Sequence, residues 1–426
     1  MVAEYLKRSV PEESEDEQAV RDRVSTIIAD VARNGMAAVR RYSSELDGFD
    51  AEEYRLSEEE IGRACSNVQP DLARAIDFAH DQVRHFAELQ RQSLLDVEAE
   101  TMPGVVLGHR HIPVDSVGAY VPGGRYSLIA SSYMSIIPAK VAGVREVVVC
   151  TPPRGGSVHP ALVYSAVRAG ADAVYALGGV QALAAMAYGV LPDAAPVDMI
   201  VGPGNAYVVE AKRQLFGRVG IDLLAGPTEI GILADATADP FLVACDLVGQ
   251  AEHDPRSRAV LITTSRDLAE AVLAQIDEHL AAVATEPVAR ACWEHGGEVL
   301  VVADEDELVA CSDAYALEHI EVMLAEPRRM IDRLTHYGSL FVGEETTVAY
   351  GDKVAGTNHI LPTRRAARFT GGLWVGKFLK TVTYQYMSRA GSLAMAVPCE
   401  IEADAEGMVA HARTARVRLD RWGPPD

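Results

Sequence analysis

The sequence predicts an α/β protein built on two doubly wound parallel sheets, with small helical segments towards either end. Three observations carry that prediction. From residue 114 onward, short apolar runs alternate with stretches of helical period, the grammar of strand–helix–strand units. The runs VVVC (147–150) and DMIVG (198–202) are apolar almost throughout, as strands covered on both faces must be. The same layout then comes a second time, although the two halves show no repeat in residue identities.

The elements follow in order. Residues 17–100 read as helical, with apolar residues at helical spacing over 19–34, 36–46 and 70–89. A strand over 114–121 ends in Pro122-Gly123-Gly124. A helix over 136–142 leads to a strand over 146–150, closed by Thr151-Pro152-Pro153. A helix over 159–169, a strand over 173–176, Gly178-Gly179, a helix over 181–188 and a strand over 199–201 complete the first set. The second set has strands over 229–234, 259–263, 298–302 and 340–342, with helices between. The last 50 residues read as a separate small helical appendage.

Composition bounds the function. A chain of 426 residues, 49% hydrophobic, can bury two or three sizeable cores. With 39 basic against 61 acidic residues the net charge is −22, which argues against nucleic acid or an anionic membrane as partner. It leaves room for a small anionic substrate in a local basic pocket. The six cysteines stand singly, with no C-x-x-C pair, so neither a disulfide framework nor a cysteine-rich zinc module is expected, and a reducing cytoplasm fits. Residues 1–16 are polar and acidic, unlike a signal peptide, and no 18-residue apolar run predicts a membrane span.

The residues that carry chemistry lie between these elements. Three loops after strands are glycine-rich: Pro122-Gly123-Gly124-Arg125, Gly178-Gly179-Val180-Gln181 and Gly202-Pro203-Gly204-Asn205. None is the G-x-G-x-x-G fingerprint. They fit either tight turns or close backbone approach to a phosphate-bearing ligand. Asp239-Pro240 starts a helix well, Asp as cap and Pro at the first position. That helix leads to Gln250-Ala251-Glu252-His253, an amide and an imidazole three residues apart on one face. The pair is half of a divalent-metal site or an ordinary helix end; Asp352, His359 and His411 are plausible further donors. Glu318-His319 offers an acid beside a base, surface residues or a proton-transfer pair. Residues 351–359 form a glycine-punctuated polar loop with more special side chains than a connector needs. Cys150 reads as a small core residue rather than a nucleophile.

Together the motifs YVPGG (120–124), IPAKVAGV (137–144), LGGVQALAAMAYG (177–189), VGPGNAYVVEAKRQ (201–214), AGPTE (225–229), DLVGQAEH (246–253), ALEHIEV (316–322), GTNHILPT (356–363) and EGMVAH (406–411) resemble the histidinol dehydrogenase family over almost the whole chain. The resemblance implies a zinc- and NAD-dependent enzyme that oxidises a primary alcohol through an aldehyde to a carboxylate, with two NAD reduced. It implies an incomplete Rossmann-like fold: an N-terminal segment 1–15, a first domain split over 16–119 and 230–373, an NAD-binding domain 120–229, and a C-terminal segment 374–426 reaching the partner's active site in a homodimer. Gln250, His253, Asp352 and His411 match the ligands of one zinc per subunit. Glu318 and His319 match the catalytic pair: His319 takes the alcohol proton and Glu318 activates the water of the second half-reaction. Tyr120, Gln181 and Asn205 match the NAD contacts. Thr228 (a serine in most of the family), His359 and Glu406 match substrate-side positions, with Glu406 and His411 acting across the subunit interface.

Two segments depart from histidinol-oxidising relatives. Residues 125–135 (RYSLIASSYMS) and 364–380 (RRAARFTGGLWVGKFLK) look like the sulfopropanediol 3-dehydrogenase branch. That branch oxidises dihydroxypropanesulfonate to sulfolactate. Extra Arg and Lys suit a sulfonate or carboxylate, with Arg125 the candidate substrate contact; both Arg125 and Arg364 can equally be solvated loop charges. Tyr133 stands where that branch leads one to expect histidine. The expected substrate is therefore dihydroxypropanesulfonate or a related anionic diol, the alternative L-histidinol, and the remote alternative an NAD- and zinc-binding protein without catalysis.

Overall fold

The computed structural model describes residues 4–10, 17–123 and 126–423. Its strands, in chain order, are β1 (Glu4–Lys7), β2 (Val97–Met102), β3 (Val105–Pro113), β4 (Ser116–Tyr120), β5 (Glu146–Thr151), β6 (Ala173–Ala176), β7 (Met199–Val201), β8 (Gly220–Ile221), β9 (Glu229–Ala234), β10 (Arg258–Thr263), β11 (Gly297–Val301), β12 (His319–Met323), β13 (Ser339–Val342) and β14 (Leu379–Met387). Two compact units result: Met1–Leu89 with Val114–Phe378, and Gln90–Pro113 with Leu379–Asp426.

The first unit holds both parallel sheets. The five-stranded sheet has the order β6-β5-β4-β7-β8 and the six-stranded sheet the order β1-β11-β10-β9-β12-β13. Setting β1 aside, each sheet grows from its first strand to one side for two strands, then to the other side for two. The similar layouts read in the two halves are thus one topology used twice. In the six-stranded sheet, alternate residues of β9 enter different cores: Ile230 and Ile232 one, Leu233 the other. Both faces are covered, which is why the run is apolar at every position.

Several elements differ from the sequence reading. The helices Glu17–Asn34 and Met36–Asp47 share a core with β4–β7, through Val24, Ile27 and Val39 against Leu183 and Met186. They therefore belong with the five-stranded sheet, not with residues 230–373, because their apolar faces are matched there. Residues 97–100, read as helical, open the strand β2 instead. The predicted helix over 136–142 begins at Ile129, with Pro138 inside it. β12 was not expected as a strand: Glu318-His319 lies at its start rather than just after a helix. β1 pairs antiparallel with β11 at the sheet edge. An equivalent cover lies on β6, where Arg55 bridges antiparallel to Tyr175 and the amides of Leu56 and Ala176 bond across.

The second unit corrects the expected helical appendage. β14 pairs antiparallel with β3 along its whole length, and β2 flanks β3 on the other side. Two helices, Arg389–Ala405 and Val409–Trp422, complete the unit. Their sequence is helical enough, but the preceding strand LKTVTYQYM alternates on a half-exposed sheet, a weaker signal than an apolar run. No helix among the described residues is long and apolar enough to cross a membrane.

Candidate active site

In both sheets the strand order reverses beside the first strand, between β4 and β7 and between β9 and β12. Such a switch point opens a crevice between the diverging loops. At the carboxyl ends of β4 and β7 the backbones are packed too closely for side chains. A Cβ on Gly202 (φ +115°) would strike the Tyr120 carbonyl, and one on Gly178 would strike Pro152. A buried ion pair fixes the loop. Lys212 and Asp222 bond each other, Lys212 Nζ donates to the Gly202 carbonyl (2.9 Å), and the Gly202 amide donates to Asp222 Oδ2 (2.8 Å).

The three expected NAD residues lie around this edge. Tyr120, 5% exposed, accepts a hydrogen bond from the Gly179 amide (3.3 Å), and burial pushes its phenol up to about 12. Gln181 is fully buried: its Nε2 donates to Asp47 (2.9 Å), while its Oε1 has no partner. Asn205 caps the helix Ala206–Leu215, accepting from the Tyr207 and Val208 amides at 3.1 Å. A helix N-terminus beside closely packed glycines fits a dinucleotide phosphate. Arg125, with Gly124, lies outside the described residues.

A second cluster forms at the amino ends of β9 and β12. Register places His319 opposite Ile230, so Thr228-Glu229 and Glu318-His319 are neighbours. Glu318 Oε2 accepts from the Thr228 hydroxyl (2.5 Å) and the Glu229 amide (3.0 Å). Burial pushes Glu318 up to about 7, against the pull of His319 and those two donors. His319 is 2% exposed, and its Nδ1 lies 2.9 Å from the Glu229 carbonyl. That contact makes Nδ1 the donor, so Nε2 is the acceptor nitrogen of the neutral ring. Nε2 is buried without a hydrogen-bond partner, 3.7 Å from Asp352 Oδ1. Burial opposes charge on His319, but Glu318 and Asp352 outweigh it and raise the imidazole to about 9. Asp352 is held far below the usual carboxylate range despite its burial, by His319 first.

Gln250 sits in the last turn of the helix Pro240–Ala251, which Asp239 caps through the Phe241 amide (2.8 Å). His253 lies past the helix end, not on it; its amide still bonds the Gln250 carbonyl (3.3 Å), keeping the pair on one side. Gln250 Nε2 donates to Thr228 Oγ1 (2.6 Å), which turns the amide oxygen the other way. His253 Nε2 stands 4.0 Å from Asp352 Oδ2, and burial lowers its basicity. Two donors so spaced can share one ion, since zinc bonds of about 2.0–2.2 Å span up to about 4 Å across the metal. No three His, Cys, Asp or Glu side chains converge as a ready metal cage among the described residues. The donor set here is an imidazole, a carboxylate and an amide oxygen, which fits a divalent cation with positions left for substrate.

His359 completes the cluster with both ring nitrogens engaged: Nδ1 at 3.2 Å from the Asp352 carbonyl and Nε2 at 2.9 Å from Ser131 Oγ. Burial lowers it to about 4, so the ring is neutral. Glu406 and His411 belong to the second unit, where both are exposed. Arg364 and Arg365 both hold left-handed backbone (φ +53° and +64°), an uncommon state for non-glycine residues that costs roughly 1–3 kcal/mol each. The Arg364 amide donates to Glu229 Oε1 (3.2 Å), and its Nε occupies the space a Cβ on Gly226 would need. Cys150 is fully buried and burial pushes its thiol far up, as befits a core residue. Sequence reasoning missed Glu229 and Ser131. Glu229, a charged residue opening an otherwise apolar strand, carried a signal; Ser131, one serine among several in a buried helix, did not.

The comparisons with known proteins point one way. The family model described as histidinol dehydrogenase matches residues 10–419. The chain is 51% identical to a histidinol dehydrogenase homolog of Shouchella clausii, over 99% of this chain and 100% of that one. It is 48% identical to the sulfopropanediol 3-dehydrogenase of Ruegeria pomeroyi, over 100% of this chain and 98% of the relative. Among solved structures, histidinol dehydrogenase from Elizabethkingia anophelis superposes with a TM-score of 0.91 at 32% identity, covering 97% of this chain and 94% of that one.

Proposed function

Because the chain belongs to the histidinol dehydrogenase family, NAD-dependent dehydrogenases acting on CH–OH, we propose that it oxidises a small anionic diol of the 2,3-dihydroxypropane-1-sulfonate class. The primary alcohol passes through the aldehyde to the carboxylate, here sulfolactate, with one water consumed and two NAD reduced. The observation that carries the chemistry is the buried set Thr228–Glu318–His319–Asp352 beside Gln250 and His253. The substrate class is supported by the 48% identity to a sulfopropanediol 3-dehydrogenase over the full length; Arg364, exposed with its amide bonded to Glu229, is a cation beside that set. L-Histidinol is the second reading, favoured by the fold shared with the Elizabethkingia anophelis enzyme.

Gln250, His253 and Asp352, with His411 of the partner subunit, would hold a zinc ion, which would supply Lewis acidity and offset the Asp352 charge, and NAD would supply the hydride acceptor. With a cation offsetting the Asp352 charge that helps raise it, the His319 ring would be neutral and would receive the alcohol proton at Nε2, the nitrogen its Glu229 contact leaves as acceptor. Glu318, raised by burial, takes the proton of the water that adds to the aldehyde carbon. Thr228 holds Glu318 and Gln250 in register through one hydroxyl. Tyr120, Gln181 and Asn205 line the nucleotide side, and Glu406 of the partner subunit closes the substrate side of a homodimer.

A substrate panel tests this. Purified zinc-loaded protein with NAD is given each enantiomer of dihydroxypropanesulfonate and L-histidinol, and NADH is followed. Turnover of a dihydroxypropanesulfonate with two NADH per alcohol is expected. Turnover of histidinol alone transfers the protein to the second reading; tight NAD binding with no turnover on any alcohol removes the catalytic one.

A further inference from the structure

The helix Ile129–Ala142 leaves the carboxyl end of β4, on the nucleotide side, yet its side chains are bonded to the loop that carries Asp352 and His359. Tyr133, 3% exposed, donates its hydroxyl to the Lys353 carbonyl at 2.5 Å. Fully buried Ser131 meets His359 Nε2 at 2.9 Å. The Met134 carbonyl accepts from Asn358 Nδ2 at 2.7 Å. Lys353 ends the short helix Val348–Lys353. A helix leaves its last carbonyls without partners in the chain, and the Tyr133 hydroxyl supplies one.

The phenol is itself fixed from behind. His80 of the helix Pro70–Gln92 packs against it, tilted by 55° with 4.8 Å between ring centroids. The His80 Nε2 is 3.0 Å from Ser165 Oγ, which lies 2.7 Å from Ser132 Oγ on the same helix as Tyr133. The same 70–92 helix also touches the loop directly: Gly356 (φ +108°) packs so closely on the Gln82 carbonyl that no Cβ would fit. Inside this segment the Val354 and Ala355 amides bond the Tyr350 carbonyl and His359 Nδ1 meets the Asp352 carbonyl; the bonds from Tyr133 and Ser131, and that of Asn358 to Met134, tie it to the neighbouring helix.

We propose that Tyr133 is a positioning residue: its hydrogen bond to the Lys353 carbonyl, with Ser131 at His359, makes the Asp352–His359 loop follow the helix that leaves the nucleotide edge. The inference rests on the reading above that Asp352 holds a divalent cation and substrate. Tyr133 contacts neither Glu318 nor His319 through any of these bonds, so its work falls first on cation and substrate affinity and reaches His319 only through Asp352.

Y133F tests this, because it keeps the ring contact with His80 and removes only the hydroxyl. Zinc affinity, by competition with a chromophoric chelator, and KM for the alcohol are each expected to worsen about ten-fold, the usual scale for a group that orients a metal ligand. NAD affinity and the thermal midpoint of the metal-free protein stay near wild type. Hydrogen–deuterium exchange over 351–359 speeds up. S131A is expected to raise KM with a smaller effect on zinc. Unchanged zinc affinity with unchanged exchange overturns the proposal, as does an equal loss of NAD affinity and thermal stability, the mark of general damage. Should the wild type bind no zinc at all, the functional reading falls, while exchange over 351–359 in Y133F still decides the positioning role.

Discussion

The two parallel sheets share one strand order, yet they expose opposite edges for use. In the five-stranded sheet the candidate nucleotide residues gather at the carboxyl ends of β4 and β7. In the six-stranded sheet Thr228, Glu318 and His319 gather at the amino ends of β9 and β12. The switch point is common to both; the edge is not. The difference follows from what each crevice is made of. At one, glycine backbones pack against Tyr120 and Pro152 with no room for side chains. At the other sheet, the helix Pro240–Ala251 runs back from β9 and delivers Gln250 and His253 to the amino edge. Topology therefore says between which strands a crevice opens, and the side chains say which end carries the reactive groups.

Removing the base is the largest blow to this division. H319A is expected to lower kcat on the order of 10³-fold with the dissociation constant for NAD, measured by fluorescence titration, near that of the wild type. If NAD binding collapses with kcat, the two edges are not separate functions. Next comes K212M, which strands Asp222 beneath the Gly202 loop. Breaking one half of a buried pair costs about 3–5 kcal/mol; urea denaturation should show it, NAD binding should weaken, and zinc affinity should hold. Equal loss of zinc affinity would erase the contrast.

The smallest effect is in the response to pH. His80, on the five-stranded side, is pushed down to about 4, chiefly by burial. Its unfolded value is near 6.5, so the neutral buried ring contributes fully above 6.5, and that contribution is lost as pH falls from 6.5 towards 4, up to about 3 kcal/mol. Glu321 of β12 is shifted the other way, first by burial and then by the neighbouring Asp246. Its protonated form contributes fully below the ordinary value of 4.5, and the contribution is lost as pH rises from there to about 8. Urea midpoints across pH 5–9 should therefore lose their acid limb in H80Q and their alkaline limb in E321Q. Parallel curves for both variants and the wild type would show that neither group carries the dependence.

How much of this could be read from residues varies by region for physical reasons. β6, β7 and β9 fall on the predicted residues because buried parallel strands are short apolar runs between turn residues. β12 hid because HIEVM carries two chemically active side chains on a buried strand, which looks like neither an apolar run nor a clean alternation. β2, β3 and β14 hid because a half-exposed antiparallel sheet of VEAETM and LKTVTYQYM type leaves little pattern. At the site, Gln250, His253, Glu318, His319, Asp352 and His359 do come together, since motifs keep their reactive residues visible. Tyr133 drew notice only as a departure from expectation, and Ser131 drew none. Both act through a hydrogen bond across two halves of the chain, a relation that no local spacing encodes.

The antiparallel segments on β11 and β6 have a further consequence. In each sheet the strand built third from the first would otherwise end with a row of open backbone amides and carbonyls, a template on which a foreign strand can add. β1 takes that place on β11, and residues 54–56 take it on β6. Both guards come from the beginning of the chain, ahead of the sheets they seal. A growing chain that has just completed either sheet therefore already holds the piece that denies its raw flank to neighbours, and crowding or over-expression meets a closed border there instead of an adhesive one.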